Sequence, residues 1–304
     1  MNNINAQFVF SLAIILLGYF LKRLDLLKKE DGEGLSRIIF NITLPALIIV
    51  TFSTINIDLS LILVTITGIL YGILMALVGG VAFGKEEHDT RGMLSMLIPG
   101  VNVGLFAFPL VEAIWGQEGI KYFGMFDVGN SIIVFGVSYI IAGYFSADKA
   151  VGLVGALKKS LKSVSLLAYI VSFGVAVVGI HFPKPVIDGL QILGKANTPL
   201  SLLLLGMYLS FSFDTAYLKS MVKVLAFRYL IGLAAGAVFF YLLPFEPMVR
   251  YTALIAFLLP IPTITISYAL EFDYNVQFVG TLTNITILIS FFLVWLDSAT
   301  FLVG

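Results

Sequence analysis

Pro99-Gly100-Val101-Asn102-Val103-Gly104-Leu105-Phe106-Ala107-Phe108-Pro109 interrupts an apolar run with two prolines, two glycines and one amide side chain. Proline has no backbone N–H and clashes with the preceding turn, so a regular helix should break here. In hydrocarbon every freed backbone group costs several kcal/mol unless something satisfies it. A break at membrane depth therefore implies a cavity lined by protein or water, often one that binds a polar solute. Gly and Pro are also commoner in transmembrane helices than in soluble ones, so the stretch gains weight only with a counterpart elsewhere.

The chain around it is a membrane chain. Of its 304 residues 59% are apolar and 12% charged, about half the charge of a soluble domain, and the mean hydropathy is +1.02. Long uncharged runs recur from end to end, which predicts an all-α polytopic membrane protein. A formal net charge of zero argues against nucleic acid as a partner. With no cysteine, thiol and disulfide chemistry are excluded. His88 and His181 fall in different loops without ligand-spaced neighbours, so no metal site is expected. No nucleophile, metal cluster or acid pair suggests an enzyme, and no cofactor is implied.

Ten spans are predicted, at 7–21, 35–54, 59–83, 93–115, 119–145, 165–182, 186–213, 221–243, 249–271 and 275–303. The N-terminus lacks the basic region of a signal peptide, so the first run reads as a retained span. Lys121, Lys184 and Arg250 would lie on one face and Lys195 inside a span. All other Lys and Arg, Arg228 among them, would lie on the opposite face. The positive-inside rule then places both termini outside, in a bacterial-type inner membrane. Between spans five and six, Val151, Val154, Leu157 and Leu161 recur at helical spacing among lysines. Residues 148–164 thus read as a basic amphipathic linker on the inner leaflet. It separates a first five-helix repeat, 1–147, from a second, 165–304.

The counterpart comes from spacing. Pro45 and Pro199 are 154 residues apart, as are Asn130 and Asn284, and Pro109 precedes Pro262 by 153. Five spans per repeat is an odd number, so the second repeat starts from the opposite face. The result is a 5+5 inverted pair, as in many secondary transporters. Broken spans four and nine should then cross near the midplane, as in sodium/proton antiporters and bile-acid transporters. Their half-helix ends would offer free N–H and C=O groups as anion and cation sites.

Gly18-Tyr19-Phe20-Leu21-Lys22-Arg23, Leu35-Ser36-Arg37 with Leu44-Pro45-Ala46-Leu47, and Asn102-Val103-Gly104 with Phe108-Pro109, Gly116 and Gly119 form an ordered series. It continues with Pro199-Leu200-Ser201-Leu202-Leu203-Leu204-Leu205-Gly206, Leu259-Pro260, and Tyr274 with Asn275. In this order and spacing the chain resembles the auxin efflux carrier family, which includes plant PIN-type carriers and bacterial organic-acid permeases. The resemblance covers essentially the whole chain. It implies ten spans as five plus five, crossed helices four and nine, and transport of carboxylate-bearing solutes. Coupling in the family ranges from uniport to H⁺ or Na⁺ symport. The long central loop of many plant members is missing here, so the chain is closer to a bacterial-type permease.

For the solute site the sequence nominates Asn102 and Gly104 at the first break, Pro109 after it, and Pro260, Pro262 and Thr263 at the second. Asn41, Asn197 and Lys195 join them from spans two and seven. Amides can donate and accept without a desolvated charge, and Lys195 could neutralise a carboxylate or instead snorkel to the interface. Asp127, with Asn130 and Asn284, is nominated for a coupling proton or ion, or for pairing with Lys195. Glu112 and Glu271 are expected as interfacial or gate residues. The expected function is alternating-access transport of small carboxylates, malate-, malonate- or auxin-like, with lipid as the surrounding partner and a homodimer compatible. A sodium/proton antiporter is the alternative, followed by a sensor or channel.

Overall fold

The computed structural model describes residues 4–53, 55, 58–146, 155–156, 158, 161, 163–178, 182–211 and 217–301. Among them the chain is all-helical. Six helices are long and apolar enough to cross a membrane: Asn5–Arg23, Glu30–Phe52, Leu59–Ala82, Gln117–Tyr144, Leu218–Leu242 and Val276–Ala299. The other four expected spans are shorter or interrupted. The amphipathic reading of the linker rests on Val151, Val154 and Leu157, which lie outside the described residues, as does His181.

In chain order the helices are α1 (Ile4–Arg23), α2 (Lys29–Ile38), α3 (Leu44–Phe52), α4 (Leu59–Ala82), α5 (His88–Met96), α6 (Phe108–Trp115), α7 (Gln117–Ser131) and α8 (Tyr139–Tyr144). After the linker come α9 (Val164–Val178), α10 (Lys184–Lys195), α11 (Asn197–Tyr208), α12 (Leu218–Leu242), α13 (Pro247–Ala256), α14 (Ile264–Glu271) and α15 (Val276–Phe301). Three wider π-helical turns join neighbours: Ile39–Thr43 between α2 and α3, Val103–Ala107 before α6, and Ile132–Ser138 between α7 and α8.

Proline explains two of these turns. Pro45 and Pro109 stand in the first turn of α3 and α6, where each would clash with a regular preceding turn. A wider i→i+5 turn absorbs the misfit, a geometry common at functional sites. Pro109 consequently sits inside a helix, and the first interruption is residues 97–102 rather than the whole stretch to Pro109. Pro199 lies in the first turn of α11, where the absent N–H is an orphan donor anyway, so the seventh span is interrupted at Ala196. Gly116 joins α6 to α7 at φ 59°, a backbone that L side chains rarely adopt.

Glycine sets the closest packing. A Cβ at Gly18 or Gly206 would overlap backbone of the other helix where α1 meets α11, and one at Gly129 would overlap the Thr65 carbonyl where α7 meets α4. Without a hydrophobic force between helices in lipid, such close approach supplies much of their association. Exposed apolar side chains such as Leu70, Leu77 and Val81 on α4 and Leu230 and Leu242 on α12 form a surface suited to hydrocarbon.

Spans two and seven share a buried polar contact, the Thr43 hydroxyl donating to Asn197 Oδ1 at 3.1 Å. The two residues are 154 apart, the same offset that separates Pro45 from Pro199.

Candidate functional site

The two interruptions touch. The Asn102 backbone N–H donates to the Pro260 carbonyl at 2.9 Å. Gly100 leaves room for this, since a Cβ there would stand 2.6 Å from Val134 and 3.2 Å from Pro262. Each break is then wired to a neighbouring helix. Asn130 on α7 pairs with Val101 in both directions, accepting from its N–H at 3.0 Å and donating to its carbonyl at 2.9 Å. On α15 the Thr286 hydroxyl accepts from the Ile261 N–H at 3.1 Å, and Ser290 donates to the Leu258 carbonyl at 2.6 Å. Tyr71 on α4 donates to the Phe257 carbonyl at 3.2 Å.

Arg228 on α12 binds carbonyls of both breaks. Its Nη1 lies 2.9, 2.7 and 3.0 Å from the carbonyls of Leu97, Ile98 and Gly100, and its Nη2 donates to Leu259 at 3.0 Å. The sequence assigned Arg228 to the charged flank of its span; the structure corrects this, burying it to 3% exposure. The flank reading failed because the orphan carbonyls that attract a guanidinium come from residues 31 to 131 positions away.

The opposite ends of the breaks behave differently. Asn102 caps the restarting helix, its Oδ1 accepting from the Leu105 N–H at 3.3 Å. Its Nδ2 is buried without a hydrogen-bond partner among the described residues. Thr263 holds the corresponding place before α14, where Thr265 donates to Pro262 O at 2.7 Å. Val103 and Gly104 on one side and Thr263 and Ile264 on the other face a single cavity of about 370 Å³. Two helix N-termini thus share one hollow, and helix N-termini favour negative charge.

The rest of the wall comes from Phe40, Asn41 and Leu44 at the first π-turn, Val134 and Phe135 at the third, Ser163 to Leu166 at the start of α9, and Tyr268. Asp127 and Asn130 complete it, with Tyr169. Asp127 Oδ1 accepts from Asn130 Nδ2 at 2.9 Å and Oδ2 from the Tyr169 hydroxyl at 2.8 Å. Aromatic and aliphatic faces dominate, and among the described residues neither Lys nor Arg lines the cavity.

Of the residues nominated from sequence, Asn41, Asn102, Gly104, Asp127, Asn130, Pro262 and Thr263 come together around this cavity. Pro260 lies in the second break, with its carbonyl taken by Asn102. Pro109 lies one turn into the helix beyond the first break and is not part of the wall. Asn197 is buried against Thr43, outside the wall. Asn284 holds the carbonyls of Tyr208 and Ser210 at 2.9 and 2.8 Å, where α11 ends. Asn130's counterpart at the second break is therefore Thr286, not Asn284.

Lys195 needs the largest correction. It is exposed at the last turn of α10, does not line the cavity, and is not paired with Asp127, whose oxygens are taken by Asn130 and Tyr169. Its neighbour Gly194 packs on Leu47 and Asn197 on Thr43, which leaves Lys195 on the outward side of the interruption. Lys195→Ala is therefore expected to leave solute affinity within about twofold, as for a surface substitution. A tenfold weakening in an uptake or binding titration would return Lys195 to the site.

Arg228, Tyr169 and Thr286 were not singled out from sequence. Arg228 carried a usable signal, since it stands seven residues into a span where an ionisable group calls for a function. Tyr169 and Thr286 are ordinary span residues until their partners are known. On the far side of α6, the Thr198 hydroxyl donates to Glu112, and Tyr139 donates to Glu271 at 2.5 Å on α14.

A family model described as membrane transport protein matches residues 4–152. The chain is 25% identical over 277 residues to an uncharacterized transporter of Methanothermobacter thermautotrophicus, covering 89% of each chain. It is 27% identical over 212 residues to uncharacterized transporter MJ1031 of Methanocaldococcus jannaschii, 66% of this chain and 67% of that one. Uncharacterized transporter YfdV of Escherichia coli K12 is 23% identical over 240 residues, 73% of this chain and 76% of its own.

Proposed function

Because the chain belongs to the auxin efflux carrier family of membrane transport proteins, we propose that it carries small monoanionic organic acids with an apolar body by alternating access. One observation carries the reading. Asn102 lines a cavity flanked by two half-helix N-termini, and its buried Nδ2 has no hydrogen-bond partner among the described residues. A buried donor without an acceptor is costly, and a carboxylate would satisfy it while the helix dipoles offset its charge.

The wall also argues for the class of anion. A second carboxylate would need a cation, and among the described residues the lining offers Asp127 instead. A like charge disfavours a dianion, whereas Phe40, Phe135 and Tyr268 suit an aromatic or branched aliphatic body. About 370 Å³ lies in the range of small-molecule sites. Asp127, held by Asn130 and Tyr169, is the group in the wall suited to carry a coupling proton.

The architecture proposed with this function is ten spans as two inverted five-helix repeats, with N- and C-termini outside a bacterial-type inner membrane. The contacts of Asn102 with Pro260 and of Thr43 with Asn197 support the pairing of spans four with nine and two with seven. Without Arg228 the charge bias in the sequence is still thirteen (14 − 1) against three.

A sodium/proton antiporter is the second reading, favoured by the buried Asp127. Against it, Asp127 is the one acidic residue among the described lining residues.

The test is uptake into liposomes by the purified protein, with labelled phenylacetate and malonate compared under imposed proton, sodium and voltage gradients. Protein-dependent phenylacetate uptake is expected, with malonate slower by about tenfold or more, a difference of about 1.4 kcal/mol. Equal rates would remove the monoanion preference. No movement of either acid, alongside sodium-driven proton flux, would replace the proposal by the antiporter.

A further inference from the structure

We propose that Arg228 is a built-in counter-ion for the meeting point of the two breaks, occupying the place where such carriers hold a coupling sodium, so that this protein works without one. The inference deepens the transport reading above and rests on it.

Where helices break inside a membrane, the carbonyls at their C-terminal ends carry partial negative charge and no internal partners. In carriers with discontinuous helices these ends and the unwound carbonyls beside them coordinate Na⁺. Here the equivalent oxygens come from both breaks: Leu97, Ile98 and Gly100 after α5, and Leu259 after α13. All four lie 2.7–3.0 Å from the two terminal nitrogens of one guanidinium.

The guanidinium suits this place. It is planar, permanently charged and rich in donors, so it can span two chain segments as a compact ion cannot. It is buried to 3% exposure, and among the described residues it forms no ion pair with a carboxylate. The carbonyls are its counter-charge. Its helix is fixed around it: Tyr229 donates to Thr286 O at 3.0 Å, and Gly232, one turn on, presses on the Phe257 carbonyl. A cation tethered in this way cannot be released and recaptured in each cycle. These oxygens therefore serve no exchangeable ion, and any coupling must use another group.

Thermal unfolding of the purified full chain in detergent, in sodium chloride against choline chloride at equal ionic strength, tests this without any solute. The wild-type midpoint should not depend on sodium. Arg228→Ala and Arg228→Gln should unfold at lower temperature and regain several degrees in sodium or in millimolar methylguanidinium, because an ion that binds only the folded state stabilises it by mass action. Arg228→Lys, which keeps the charge, should unfold earlier than wild type yet ignore sodium. Sodium stabilisation of the wild type, or neutral variants that respond to neither cation, would overturn the proposal. If neither neutral variant can be purified, the wild-type comparison decides, with insensitivity supporting the proposal and a sodium-dependent rise ending it. Failure of liposome uptake with these shifts intact would remove the anion reading and leave the role of Arg228 standing.

Discussion

Asn102→Asp is expected to stop uptake while the protein folds and unfolds much as the wild type does. Aspartate caps a helix as well as asparagine does, so the bond from the Leu105 N–H survives the exchange. What changes is the other half of the side chain. The buried Nδ2, the donor proposed to meet the solute, becomes an acceptor oxygen that carries charge. Two like charges about 4 Å apart repel by about 4 kcal/mol at the effective dielectric of a partly wet site. Even a third of that energy is about tenfold, and a loss of a hundredfold or more in initial uptake rate is expected. Asn102→Ser, which retains a cap and loses the amide, should fall between the two. Uptake of phenylacetate by the Asp variant at the wild-type rate would remove Asn102 from the solute site.

Prolines and glycines make much of this site legible in the sequence. Pro99, Gly100, Pro260 and Pro262 mark the interruptions, because a proline without N–H and a glycine without Cβ act locally, within a turn of their own position. Asn102 is legible for the same reason, since an amide just before a restarting helix is a capping signal. Pro109 misleads because a π-turn can absorb a proline that a regular turn cannot, and nothing in the sequence distinguishes the two outcomes.

Residues that act across the bundle are harder to see. Lys195 and Arg228 stand at comparable depths in their predicted spans, nine and seven residues from the ends nominated. Read from the sequence, only Lys195 is placed inside the membrane, although the depth of Arg228 carries the same signal. The structure reverses the two, because burial of a cation depends on which orphan groups face it, and those follow the ends of α5 and α13. Tyr169 holds Asp127 from 42 residues away and Thr286 holds Ile261 from 25, distances over which no helical period carries information. The repeat offset locates the helices that meet but not the atoms that do the holding. Asn284 matches Asn130 in spacing, yet it stabilises the end of α11 instead of the second break.

The largest effect on folding is expected at the contact of α1 with α11. A Cβ at Gly206 would overlap the Ile15 carbonyl, and one at Gly18 the Leu203 carbonyl, so each helix presents bare backbone to the other. Backbone cannot rotate away as a side chain can, and any added methyl must push the helices apart. The displacement would reach the site region, because α11 also carries Asn197, bonded to Thr43 in the first π-turn. Its C-terminal carbonyls are gripped by Asn284, and Lys22 on α1 donates to Leu209 at 2.5 Å. Gly206→Ala should therefore lower the unfolding midpoint by several degrees. Gly206→Leu should cost about 3 kcal/mol or more, enough to prevent recovery of monodisperse protein. Gly280 on α15 is the control, for a Cβ there meets nothing within 4 Å. Gly280→Ala should be neutral or stabilising by up to about 1 kcal/mol, since alanine loses less backbone entropy than glycine in a helix. Opposite signs for the same chemical change at two helical glycines, measured by thermal unfolding and size-exclusion recovery, would establish close backbone contact as the cause. A Gly206→Ala protein as stable as the Gly280→Ala protein would show that α1 and α11 do not meet in this way.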